Sequence, residues 1–202
     1  MFISFEGIEG SGKTTLLRGV AAQLRLDGRN VLETREPGGT PAGDRIRELF
    51  LEPALPVGAM TEVLLVNASR AQLVADVIRP ALEAGSTVLC DRYVDSTLAY
   101  QGYARGVDLE TVKRLCEAAT GGLYPDLTFL VDVSLATSRG RVASRHGGSD
   151  RIDEQGLAFH DRVRDGFAAL ARLESRIVVL DGERAAEIVL EAAMAAIANF
   201  AA

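Results

Sequence analysis

The chain has 202 residues, 48% hydrophobic and 25% charged, with only 6 prolines. At about 150 residues per domain that is one folded domain, and a disordered, collagenous or low-complexity chain is excluded. Lysine and arginine total 22 against 28 acidic residues, a net charge of −6, which argues against broad electrostatic capture of nucleic acid or an anionic membrane.

Cys90 and Cys116 are too few for a disulfide scaffold and lack the spacing of a structural zinc site. No apolar run approaches the about 18 residues of a membrane span, so the expected compartment is the reducing cytoplasm.

From the N-terminus, residues 2–6 form an apolar stretch interrupted by Ser4 and are predicted as a strand. Gly7, Gly10 and Gly12 follow, and then Leu16, Leu17, Val20, Ala21 and Leu24 recur at helical spacing up to Gly28. A second strand is predicted at 31–34. The loop Pro37-Gly38-Gly39 feeds a helix around 44–51, which Pro53 and Pro56 end. Residues 60–84 read as a helix bent near Pro80, because proline removes an internal hydrogen bond. Strands at 87–91 and 127–132 are short and nearly continuous in apolar residues, as in buried parallel sheets. Helices at 136–145 and 154–173 flank His146-Gly147-Gly148-Ser149, and a last strand at 177–180 precedes an Ala-rich helix. Strands alternating with helices predict a three-layer α/β/α fold with a five-stranded parallel sheet. Residues 1–202 form one domain in this reading, with a lid insert at about 139–153.

Residues 7–14, GIEGSGKT, fit the pattern G-x-x-x-x-G-K followed by Ser or Thr, between a predicted strand and a predicted helix. Glycines allow successive N–H groups to point inward, and the helix N-terminus adds positive charge, together making a site for a polyphosphate. Gly7, Ile8, Glu9, Gly10, Ser11, Gly12, Lys13, Thr14 and Thr15 are the expected ATP-binding residues. Lys13 would bridge the β and γ phosphates and the Thr14 hydroxyl would ligate Mg2+. Glu9 places a carboxylate among phosphates, which implies that further positive charge arrives from elsewhere.

Arg139, Arg141, Arg145 and Arg151 cluster around Gly147-Gly148. Arginine supplies planar, permanently charged donors for the oxygens of a transferring phosphoryl group. Arg145 and Arg151 are the leading catalytic candidates among them.

Six segments in chain order resemble the bacterial thymidylate kinases of the nucleoside monophosphate kinase group. They are FEGIEGSGKTT at 5–15, TREPGGTPAGDRIR at 34–47, ASRAQL at 68–73, CDRYVDSTLAYQGYARG at 90–106, YPDLTFLVDV at 124–133 and SDRID at 149–153. The resemblance covers nearly the whole chain. It implies ATP- and Mg2+-dependent phosphorylation of dTMP to dTDP, and a homodimer built from helices, with residues 60–84 as a candidate face. Arg70 is implied at the thymine O4, Gln101 with Ser96 or Thr97 at the pyrimidine edge, and Tyr100 under the deoxyribose. Arg92 would grip the dTMP phosphate with Arg35 and Arg47 nearby. Asp91 and Glu36 would organise magnesium, its water and substrate. Val66 stands where many relatives carry phenylalanine against the base. Glu9, Lys13, Arg92, Arg145 and Arg151 are thus the expected catalytic residues. No role is expected for Arg45 and Arg105 beyond the surface.

Two other readings compete. A deoxynucleoside kinase would share the cradle and lid, but Arg35, Arg47 and Arg92 supply more cation than an uncharged acceptor needs. A nucleotide-binding switch would hydrolyse ATP or GTP without any monophosphate.

Overall fold

The structure is a computed structural model that describes residues 1–144 and 151–201. Five parallel strands, β1 (Phe2–Glu6), β2 (Val31–Arg35), β3 (Thr87–Asp91), β4 (Leu127–Asp132) and β5 (Ile177–Asp181), lie in the order β2-β3-β1-β4-β5. The central strands β1, β3 and β4 are buried almost throughout, whereas the edge strands are half-exposed. Helices therefore cover both faces, which explains why the central strands read as unbroken apolar runs.

Alternate strand residues serve two cores. Ile3, Phe5, Leu89 and Phe129 pack with Leu17, Val20 and Leu24 of α1 (Lys13–Leu26) and with Ala193 and Ile197 of α9 (Ala186–Ala201). Phe2, Val88, Cys90 and Leu130 face the other helices, including α3 (Ala59–Leu73), α6 (Leu109–Thr120) and α8 (Leu157–Leu173). Strand order reverses about β1, so the loop that follows β1 opens onto the crevice at the carboxyl ends of the strands.

The predicted helix at 60–84 is α3 followed by a π-helical turn, Val74–Ile78, and α4 (Arg79–Glu83). The wider turn directly precedes Pro80, whose ring crowds the preceding turn and which cannot donate a hydrogen bond. The helix predicted at 44–51 begins earlier, as α2 (Pro41–Leu51), because Thr40 caps it by accepting from the Gly43 amide and Pro41 fits the first turn. The helix predicted from 154 begins at Leu157, after Gly156. That predicted at 136–145 is α7 (Leu135–Ala143), capped by Ser134. A second π-helical turn, Leu98–Ala104, continues α5 (Val94–Thr97).

Candidate active site

Between β1 and α1 the chain turns through Gly7, Gly10 and Gly12 at φ 140°, 71° and 99°. A Cβ on Gly7 would stand 2.5 Å from the Val131 carbonyl oxygen, so only glycine fits there. The loop is braced from outside. Ser138 donates to the Glu9 carbonyl at 2.7 Å, and Arg141 donates to the carbonyls of Gly10 (3.3 Å), Ser11 (3.1 Å) and Gly182 (3.0 Å). With those carbonyls engaged outward, the loop keeps the shape that a phosphate cradle requires. Lys13 at the start of α1 is buried and donates to the Ile8 carbonyl. Burial and Arg92 pull the Lys13 ammonium down to about 8, against Asp91, Glu9 and Glu6. The Thr14 hydroxyl donates to Asp91 Oδ2 at the end of β3.

Arg92, directly after β3, has φ 71°, unusual for a residue with a Cβ. From there it donates to the Gly7 carbonyl and Ser96 Oγ, each at 3.0 Å, and to Glu9 Oε1 at 2.8 Å. Its guanidinium stacks over the Tyr100 ring, and the Tyr100 hydroxyl donates to the same Glu9 oxygen at 2.7 Å. Burial alone would raise the Glu9 carboxyl, but Arg92, Lys13 and Tyr100 outweigh it and hold Glu9 below its ordinary range. The extra positive charge that Glu9 demanded of the sequence is thus Arg92.

Arg70 occupies the far wall. It is buried on α3 and donates to Glu36 Oε2 through Nε (2.8 Å), to Asn67 and Cys116 through Nη1, and to Thr97 Oγ1 through Nη2 (2.9 Å). Burial opposes the Arg70 charge, yet the Glu36 carboxylate outweighs it and keeps Arg70 protonated. Glu36, expected among the magnesium-organising acids, is placed by the structure as this arginine's partner, with side chains 2% and 4% exposed. Ser96 also lines the cavity, and its hydroxyl joins Arg92 to Glu6. Thr97 takes the position beside Arg70.

One cavity of about 220 Å3 runs along these groups, from Lys13 and Thr14 past Arg92 to Arg70, with Arg35, Arg47, Val66, Tyr100 and Gln101 also in its wall. The π-helical turn sets Tyr100 and Gln101 toward it, as such turns frequently do at functional sites. Arg35 pairs at 3.4 Å with Asp44, and Arg47 donates to the Pro37 carbonyl.

The lid arginines separate into different roles. Arg139 is exposed, Arg141 braces the cradle, and Arg145 lies outside the described residues. Arg151 is buried, donates to Glu62 Oε1 at 2.6 Å and to the Phe50 carbonyl at 3.0 Å, and is absent from the wall of the cavity. It clamps its segment to α2 and α3. Arg105, expected at the surface, instead donates to Glu62 and Gln155 and stacks on Phe159. Its partner is the reason: Glu62 is fully buried and draws Arg105, Arg151 and Gln101 together. Arg45 is exposed as expected. Sequence reasoning missed Glu6 and Glu62. Their only signal was a carboxylate within an apolar strand or helix.

A family model described as thymidylate kinase matches residues 5–193. The chain belongs to the thymidylate kinase family. The thymidylate kinase of Deinococcus radiodurans is 52% identical over 91% of this chain and 89% of its own, and that of Staphylococcus haemolyticus is 42% identical over 98% of each. The crystal structure of thymidylate kinase from Ehrlichia chaffeensis superposes with a TM-score of 0.80 at 34% identity, covering 98% of both chains. Five of the six segments that resemble thymidylate kinases in sequence, those at 5–15, 34–47, 68–73, 90–106 and 149–153, contribute to the wall of this cavity.

Proposed function

We propose that the chain transfers the γ-phosphoryl group of ATP to the 5′-phosphate of dTMP, giving dTDP and ADP. The observation that carries this is a single cavity with a polyphosphate cradle at one end and a buried arginine at the other, with Arg92 between them. ATP phosphates lie on the cradle amides and Lys13. The dTMP phosphate meets Arg92, with Arg35 and Arg47 adding cations that an uncharged nucleoside would not require. At the far end a base carbonyl competes with Thr97 for the Arg70 Nη2 proton, Val66 supplies apolar cover and Tyr100 lies beneath the sugar. The acceptor is already an anionic oxygen, so catalysis consists of alignment and charge neutralisation and needs no strong base.

The donor set fits Mg2+. Thr14 Oγ1 and Asp91 Oδ2, hydrogen-bonded to each other beside the cradle, are hard oxygen donors that would hold the ion. Among the described residues no cluster of three or more His, Cys, Asp or Glu could hold a metal alone, which suits an ion that takes one or two protein ligands and completes its shell with phosphates and water. When bound, the ion neutralises charge on the phosphates. Arg145 remains the proposed lid arginine for the transferring group, whereas the Glu62 clamp makes Arg151 a support for that segment.

We further propose a cytoplasmic homodimer formed by one domain. Leu49 on α2 and Met60 and Leu64 on α3 are large apolar side chains 46%, 43% and 51% exposed, and Leu64→Glu should convert the dimer to monomer in sedimentation. No described helix is long and apolar enough to cross a membrane. An acceptor panel of dTMP, UMP, dUMP, CMP and thymidine with ATP and Mg2+ tests the activity: dTMP should be preferred, and phosphorylation of thymidine alone, or ADP release without any acceptor, would refute it.

A further inference from the structure

We propose that Glu6, the last residue of β1, is a positioning residue for Arg92, acting through Ser96 and the Tyr93 amide. The inference rests on the reading of Arg92 as the group that holds the acceptor phosphate. Glu6 is fully buried, stands outside the cavity wall and takes no part in the transfer itself. Its Oε1 accepts from the Tyr93 amide at 2.7 Å and its Oε2 from the Ser96 hydroxyl at 2.5 Å. Ser96 Oγ in turn accepts from Arg92 Nη1 at 3.0 Å. The positive-φ turn is therefore pinned on both sides, since the Arg92 amide donates to the Phe5 carbonyl and the next amide donates to Glu6. A carboxyl group buried in a central strand is costly, and here both oxygens are spent on the turn and side chain of one arginine. Burial and the neighbouring Asp95 carboxylate push Glu6 up to about 8, against Ser96 and Arg92. A glutamine keeps the acceptor that the Tyr93 amide needs but sets an NH2 group, which can only donate, against the Ser96 hydroxyl, so it preserves one of the two links.

The test measures equilibrium binding of dTMP and of thymidine to the purified full chain. Thymidine lacks the phosphate but shares the base and sugar. Glu6→Met keeps the volume and removes both hydrogen-bonding oxygens. It should weaken dTMP about tenfold, the scale of a hydrogen bond to a charged group, and leave thymidine within about twofold. Glu6→Gln, which keeps the acceptor for the Tyr93 amide, should lie between the parent and Glu6→Met. Ser96→Ala cuts the same link from its other side, and decides the matter should Glu6→Met not fold: it too should weaken dTMP selectively. Equal losses for both ligands in Glu6→Met or Ser96→Ala, or an unchanged dTMP affinity in either, would overturn the proposal. If the unaltered chain bound thymidine as tightly as dTMP, the fault would lie instead with the reading of Arg92.

Discussion

Glu36→Gln isolates the buried charge pair on which the far wall depends. Glu36 and Arg70 meet at 2.7 Å in the wall of the cavity with side chains 4% and 2% exposed, so water compensates only in part when one charge is removed. Breaking a buried ion pair from one side costs about 3–5 kcal/mol. Glutamine keeps one neutral acceptor, and Arg70 retains Asn67, Thr97 and the Tyr93 ring at 5.2 Å, which lowers the expected loss to about 2–4 kcal/mol. For a chain of this length that is a fall in Tm of about 4–16 °C. Thermal and urea unfolding, followed by circular dichroism, would measure it. Arg70→Met added to Glu36→Gln should recover part of the loss, because no unpaired charge then remains. In Arg70→Met alone, Glu36 loses its cation. Burial already raises the Glu36 carboxyl, so the folded state holds the proton more tightly than the unfolded state, and stability should decline as pH rises from 5 to 8. A loss below about 1 kcal/mol for Glu36→Gln, with the double variant no more stable than the single, would refute the claim that this pair is buried and coupled.

Lys13→Ala should reduce dTMP-dependent ADP release by at least about a thousandfold, since it removes the cradle's own cation from the site of charge development; coupled-enzyme assay would show it. The Lys13 ammonium is held down to about 8 in the free protein, so it is charged below that pH and neutral above it. ATP affinity measured by titration calorimetry should be flat from pH 6.5 to 7.5 and weaken as pH rises through 8. Flat affinity to pH 9.5 would contradict this. Asp91→Asn should raise the Mg2+ concentration needed for half-maximal activity about tenfold or more, while dTMP binding without Mg2+ changes little.

The strands were legible to within one residue at their ends, because the central ones are buried on both faces and, away from their end residues, carry no polar interruption beyond Ser4 and Thr128. The cradle was legible for a different reason: its chemistry is local, with glycines, lysine and threonine within eight positions. By contrast, α6 went unplaced even though Asp108 and Gly121 cap it, and neither π-helical turn announces itself, since the extra residue shifts the apolar period midway. Long-range pairings were the least accessible. Arg70 finds Glu36 across 34 residues and Arg151 finds Glu62 across 89, and only the fold reveals that these arginines answer buried carboxylates. For the same reason Arg105 read as a surface residue.

A compound joining adenosine and thymidine through a chain of phosphates offers the sharpest single measurement. Titrated into the chain already loaded with fluorescent ATP and dTMP analogues, one equivalent per chain should release both together, because in the proposed arrangement their phosphates meet in one continuous cavity. Release of only one analogue, or a requirement for two equivalents, would contradict the end-to-end arrangement.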